Sequence, residues 1–131
     1  LGHSLGHAIE AAGGFGELRH GEAVAYGLRA ACRIGSSRAA LGEARAKRIE
    51  GVLDALRLAT APLPYPLEAV LGVLATDKKR RDGRLRWVLP TDAGWTLDDE
   101  VPDELVATVA QSVLAGRSTS AETGAIAGAA R

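Results

Sequence analysis

The sequence predicts a mainly α-helical bundle carrying one small β-hairpin, and three features of its patterning say so. Apolar residues recur at helical spacing in five stretches, as helices with one buried face require. Glycine and proline clusters separate those stretches where helices stop. One segment, 84–89, alternates charged and apolar residues behind an Asp82-Gly83 turn, the pattern of a half-buried strand.

The first helix carries Leu5, Ile9 and Ala12 on one face and stops at Gly13-Gly14. The second covers 21–40, with Glu22 in its first turn, where a carboxylate meets the positive end of the helix dipole. Its inward stripe is Val24, Leu28, Ala31 and Cys32, with Ala25 and Ile34. A third helix over 42–58 turns Ile49, Val52, Leu53 and Leu56 inward and leaves Arg45, Lys47 and Arg48 in solvent. Ala61-Pro62-Leu63-Pro64-Tyr65-Pro66 is a rigid connector whose three prolines exclude helix. A short fourth helix runs over 67–76 and leaves Asp77-Lys78-Lys79 in a turn. After the strand and a Thr91-Asp92-Ala93-Gly94 turn, Trp95-Thr96-Leu97 forms the partner strand. Pro102-Asp103-Glu104 opens the last helix, with Leu105, Val106, Val109 and Val113 inward. The folded domain is expected over 1–116, and 117–131, rich in small and polar residues, reads as a disordered tail.

A chain of 131 residues can bury one core. Its 16 basic and 16 acidic residues cancel, so no overall field draws it to nucleic acid or an anionic membrane. No run approaches the roughly 20 apolar residues that cross a bilayer, and the start lacks the regions of a signal peptide. One cysteine cannot make an internal disulfide, which fits a reduced cytoplasmic setting, and Cys32 reads as a small buried thiol.

The chemistry concentrates at the beginning. All three histidines, His3, His7 and His20, lie in the first 20 residues. His3 and His7 are four apart and share a helix face, and His20 follows a glycine-rich turn that can bring it back to them. Imidazole pairs at this spacing suit zinc, or equally cobalt. The residues alone nominate all three histidines, or two with Glu10 or Glu22; a carboxylate accepting a ligand histidine's far N–H is common around zinc. Lys78 and Lys79, on patterning alone, are solvated surface charges, as are Arg84 and Arg86.

Three blocks in order carry a family resemblance. Gly2-His3-Ser4-Leu5-Gly6-His7-Ala8-Ile9-Glu10, then His20-Gly21-Glu22-Ala23-Val24-Ala25-Tyr26-Gly27, then Asp77-Lys78-Lys79 with Gly83-Arg84-Leu85-Arg86-Trp87-Val88-Leu89-Pro90 resemble the zinc-binding part of the 3-dehydroquinate synthase family. The resemblance runs from residue 1 to about 114 and implies the family's helical C-terminal domain. It implies His3 and His20 as metal ligands, with a third, glutamate ligand lying upstream. It places His7 at the substrate in proton transfer near the phosphate, where an imidazole works near neutral pH. It also puts Lys78 or Lys79 at the phosphate end, and leaves Glu10 and Glu22 as candidates to support the ligand histidines. His3, His7, His20, Lys78 and Lys79 are thus the expected substrate contacts.

The implied reaction converts 3-deoxy-D-arabino-heptulosonate 7-phosphate to 3-dehydroquinate and phosphate in the shikimate pathway. NAD is the transient oxidant, and a homodimer is implied for the full-length enzyme. The family's NAD-binding domain has no counterpart here. Gly13-Gly14-Phe15-Gly16 lies between helices and is a linker rather than a dinucleotide-binding turn. The chain therefore reads as a C-terminal piece of such an enzyme, inactive alone. The alternatives are another sugar-phosphate cyclase of the 2-deoxy-scyllo-inosose synthase kind, a related polyol dehydrogenase, or a non-catalytic helical module that binds zinc or mediates association.

Overall fold

The computed structural model describes residues 1–14, 16–38 and 40–117. Among these, the chain forms α1 (His3–Ala12), α2 (His20–Ser37), α3 (Glu43–Ala55), α4 (Leu67–Arg80), β1 (Trp87–Thr91), β2 (Gly94–Asp98) and α5 (Asp103–Leu114). The expected helical bundle with one hairpin is what forms. α2 is its centre, touching α1, α3, β1 and α5, while α4 rests on α1 and α5. No helix among the described residues is long and apolar enough to cross a membrane.

α2 can serve four neighbours because its buried residues are mostly small. Ala23, Ala25, Gly27, Ala30, Ala31 and Gly35 are all buried. A helix with so little side-chain bulk lets other backbones approach from several directions. The closest approach is by α1. A Cβ on Gly27 would collide with the carbonyl of Gly2, and one on Gly6 would sit 3.0 Å from the Ala23 carbonyl oxygen. Gly2 meets Leu28 and Val24, whereas Gly6 meets Ala23 and Val24, so the two helices run antiparallel. Gly2 also has φ 78°, a left-handed conformation that only glycine adopts without cost.

The inward stripe of α2 differs from the expected one. Val24 and Leu28 are only half-buried, and Arg29 is buried at 1% exposure. A charge so placed must be paired and hydrogen-bonded. Arg29 Nη1 donates to Glu50 Oε1 at 2.8 Å, and Nη2 donates to Asp54 Oδ1 at 3.0 Å and to the Leu58 carbonyl at 2.9 Å. Arg33 Nη2 donates to the same Glu50 oxygen at 3.0 Å, and Arg117 Nη2 to Asp54 Oδ2 at 2.9 Å. This cluster explains α3. Only Leu53 of that helix is buried; Val52 and Leu56, expected inward, are exposed at 56% and 63%. Among the described residues the main contact of α3 is with α2, and the ion pairs above join them, so the outer face that carries Val52 and Leu56 stays exposed. α3 also stops at Ala55, three residues short of the expected end, and the chain then turns through Arg57 and Ala59 at positive φ.

Three further boundaries move. α2 ends at Ser37 rather than 40, and β1 begins at Trp87 rather than 84, so Arg84 lies outside the strand. α4 continues to Arg80, which puts Lys78 and Lys79 on its last turn instead of in a loop. Nothing between Thr76 and Arg80 breaks a helix, and three cations suit the negative end of its dipole. The stop comes at Asp82 and Gly83, both at positive φ, with the Gly83 N–H donating to the Lys78 carbonyl at 2.9 Å. The hairpin pairs Trp87 with Asp98 through Thr91 with Gly94. The proline connector is held by the Leu63 N–H on the Leu114 carbonyl at 2.9 Å, and the Tyr26 hydroxyl donates to the Ala61 carbonyl. Arg117, expected in the tail, donates its N–H to the Thr60 carbonyl at 2.8 Å and belongs with the folded part. The rest of the expected tail, 118–131, lies outside the described residues.

Candidate functional site

The antiparallel contact of α1 with α2 assembles the site. His3, His7 and Glu10 fall at the i, i+4 and i+7 positions of α1, one stripe along the helix. The glycines at 2 and 6 lie beside that stripe and bring α1 against α2, whose first residue is His20. His20 Nδ1 lies 3.0 Å from Glu10 Oε1. The His20 and His3 rings meet edge to face, with centroids 5.8 Å apart and planes at 64°. The Glu10 side chain is 16% exposed and that of His20 is 65% exposed, so a seated carboxylate holds an imidazole that leans into solvent. His3 and His7 are exposed as well.

Glu22, the other carboxylate nominated from sequence, does something different. Its Oε1 accepts the Arg19 N–H at 3.0 Å and caps the start of α2. It shapes the helix that presents His20 rather than touching the imidazole. Of the two candidates, Glu10 is the one brought to a histidine.

Whether these residues suit a metal follows from their geometry. Two imidazoles on one tetrahedral zinc, with Zn–N about 2.0–2.1 Å, place ring centres about 5 Å apart. The observed separation is within side-chain adjustment of that, and both rings reach solvent, so the pair fits. Among the described residues, no three His, Cys, Asp or Glu side chains gather as a metal-holding group. The pair therefore provides two donors, and further ones must come from other groups.

The lysines lie on the last turn of α4, the helix that packs against α1. Lys78 Nζ donates to Asp103 Oδ1 at 3.2 Å, joining the end of α4 to the start of α5. The pair borders a cleft of about 580 Å³ whose apolar lining includes Leu71, Leu74, Trp87 and Val106, and none of the histidines. Lys79 is exposed. Arg84 pairs with Asp99 at 3.4 Å, and Arg86 is exposed, both as surface charges. Cys32 is buried, with its thiol against the Ala46 carbonyl. Burial and the nearby Glu50 charge push the thiol up to about 11, which keeps it protonated and unreactive.

Comparison with known proteins agrees with the blocks that form this site. The family model described as 3-dehydroquinate synthase C-terminal matches residues 1–80. A 3-dehydroquinate synthase from Opitutus terrae is 42% identical over 109 residues, covering 82% of this chain and 30% of that protein. Those of Acaryochloris marina and Acidithiobacillus ferrooxidans are each 36% identical over 115 residues. They cover 86% and 87% of this chain, but 31% and 32% of their own lengths. The chain thus spans about a third of the length of the curated relatives it matches.

Proposed function

The chain belongs to the 3-dehydroquinate synthase family, and on that premise we propose that it supplies the zinc-binding helical part of an enzyme converting 3-deoxy-D-arabino-heptulosonate 7-phosphate to 3-dehydroquinate and phosphate. The observation that carries this reading is the meeting of His3 and His20 across the glycine contact of α1 with α2. His3 and His20 hold the metal, zinc or cobalt. When bound, it supplies Lewis acidity toward neighbouring substrate hydroxyls.

His7, one turn beyond His3 on the same stripe, moves a proton at the phosphate-bearing end of the substrate. Lys79, exposed on the last turn of α4, can meet an anion directly, whereas Lys78 must first release Asp103. NAD enters this reading only through the resemblance, and none of the residues named here is proposed to hold it.

Phosphate release from the heptulosonate phosphate, with NAD and zinc supplied, tests the reading in a protein of the relatives' full length that carries these residues. Turnover that falls at least 100-fold in His7→Ala supports it, the general range for losing one acid–base group being about 10²–10⁴. Turnover of a different sugar phosphate alone overturns the substrate, and net NADH formation overturns the cyclase class. The 131 residues by themselves are expected to release no phosphate, because among the described residues His3 and His20 are the only proposed donors and leave a zinc site incomplete.

A further inference from the structure

The Glu10–His20 contact has a direction, and it selects between the two nitrogens of the ring. A carboxylate only accepts, so the Nδ1 facing it at 3.0 Å must carry the proton. In a neutral imidazole the lone pair then sits on Nε2, at the far side of the ring from Glu10. We infer that Glu10 is a positioning residue that fixes His20 as the Nδ1–H tautomer and aims Nε2 as its metal-donating nitrogen. This rests on the reading of His20 as a ligand and adds which nitrogen donates and what holds it.

Three features make Glu10 suited to the task. It comes from a different helix than His20, so the contact also fixes the ring relative to α1 and His3. The carboxylate is mostly sheltered while the ring is mostly exposed, so the ring depends on the carboxylate for its orientation. Glu10 and His3 share one stripe of α1, two turns apart. The His20 ring accordingly touches Glu10 and His3 together, though they lie seven residues apart.

The test uses the whole 131-residue chain in two measurements. In the metal-free protein, long-range ¹⁵N–¹H correlations of the imidazoles report the tautomer of His20. Wild type and Glu10→Gln, whose amide oxygen still accepts, are expected to show Nδ1–H. Glu10→Ala is expected to revert to the Nε2–H form that free imidazole prefers. Cobalt binding followed by visible absorption, and zinc binding by competition, are expected to weaken about 10–100-fold in Glu10→Ala and much less in Glu10→Gln.

A His20 already in the Nε2–H form in wild type overturns the inference, as does a Glu10→Ala protein with wild-type tautomer and affinity. Should Glu10→Ala fail to fold by circular dichroism, Glu10→Gln decides: loss of both tautomer and affinity there overturns the role of the accepting oxygen. His20→Ala separates the two layers. If it binds cobalt as wild type does, the ligand assignment falls and this role with it; if the two donors of wild type hold no cobalt, the tautomer measurement alone decides the role of Glu10. If His20→Ala loses metal while Glu10→Ala does not, only the positioning role falls.

Discussion

Glu50 answers the guanidinium groups of Arg29 and Arg33, with that of Arg117 3.7 Å away, and its titration is expected to shape how the chain responds to acid. Burial alone would raise its carboxyl above the ordinary 4.5, but hydrogen bonds and charge from Arg33 and Arg29 outweigh burial and hold it lower. A carboxyl depressed in the native state stabilises the fold fully above its unfolded value. That contribution is lost as pH falls through the lower native value. Stability is therefore expected to decline from about pH 4.5 downward, and Glu50→Gln, weaker at neutral pH, should show a flatter acid limb. Urea midpoints at about pH 7 and pH 3.5 measure this, and parallel profiles for the two proteins would exclude Glu50 as the source. The sequence held a sign of this cluster in Arg29 itself, a charge inside an alanine-rich run. Its partners come from 21 to 29 residues away in sequence, and no local pattern can nominate them.

At the level of elements, one substitution should act with opposite signs in two helices. Gly27→Ala drives a methyl group into the Gly2 backbone, which cannot swing aside as a side chain can. Overpacking of this kind costs about 1–3 kcal/mol, and it should also separate His3 from His20. Gly51→Ala puts the same methyl into open space within α3 and should gain about 0.5–1 kcal/mol from helix propensity. Thermal or urea unfolding of the two variants gives both signs, and destabilisation by Gly51→Ala would contradict the packing described. α1 was legible because its apolar spacing and glycine stop agree with its surroundings. α3 misled because Val52 and Leu56 have the right period, yet period says nothing about whether a partner exists. α4 outruns its expected end because a Lys-Lys pair suits the last turn of a helix as well as it suits a loop.

Across the whole molecule, the histidine stripe could be read from spacing, and its alignment with His20 could not. The alignment depends on the antiparallel run of α1 against α2, which the glycines at 2, 6 and 27 permit without declaring in one dimension. Choosing between Glu10 and Glu22 likewise needed the fold, since both lie near histidines in sequence, and it is Glu10 that meets the His20 ring while Glu22 caps α2. The attachment of α3 has a kinetic meaning. A helix with one buried apolar residue gives up little hydrophobic stabilisation on leaving, and what restrains it is a set of ion pairs closed by Arg117. In native-state hydrogen exchange the α3 amides should open at a lower free energy than those of α1 and α2, and the α1 and α2 amides should remain protected during those openings. Equal protection in all three helices would show one cooperative unit. The ion cluster then acts as a latch: released, it frees one helix like a hinged flap while the histidine face stays assembled.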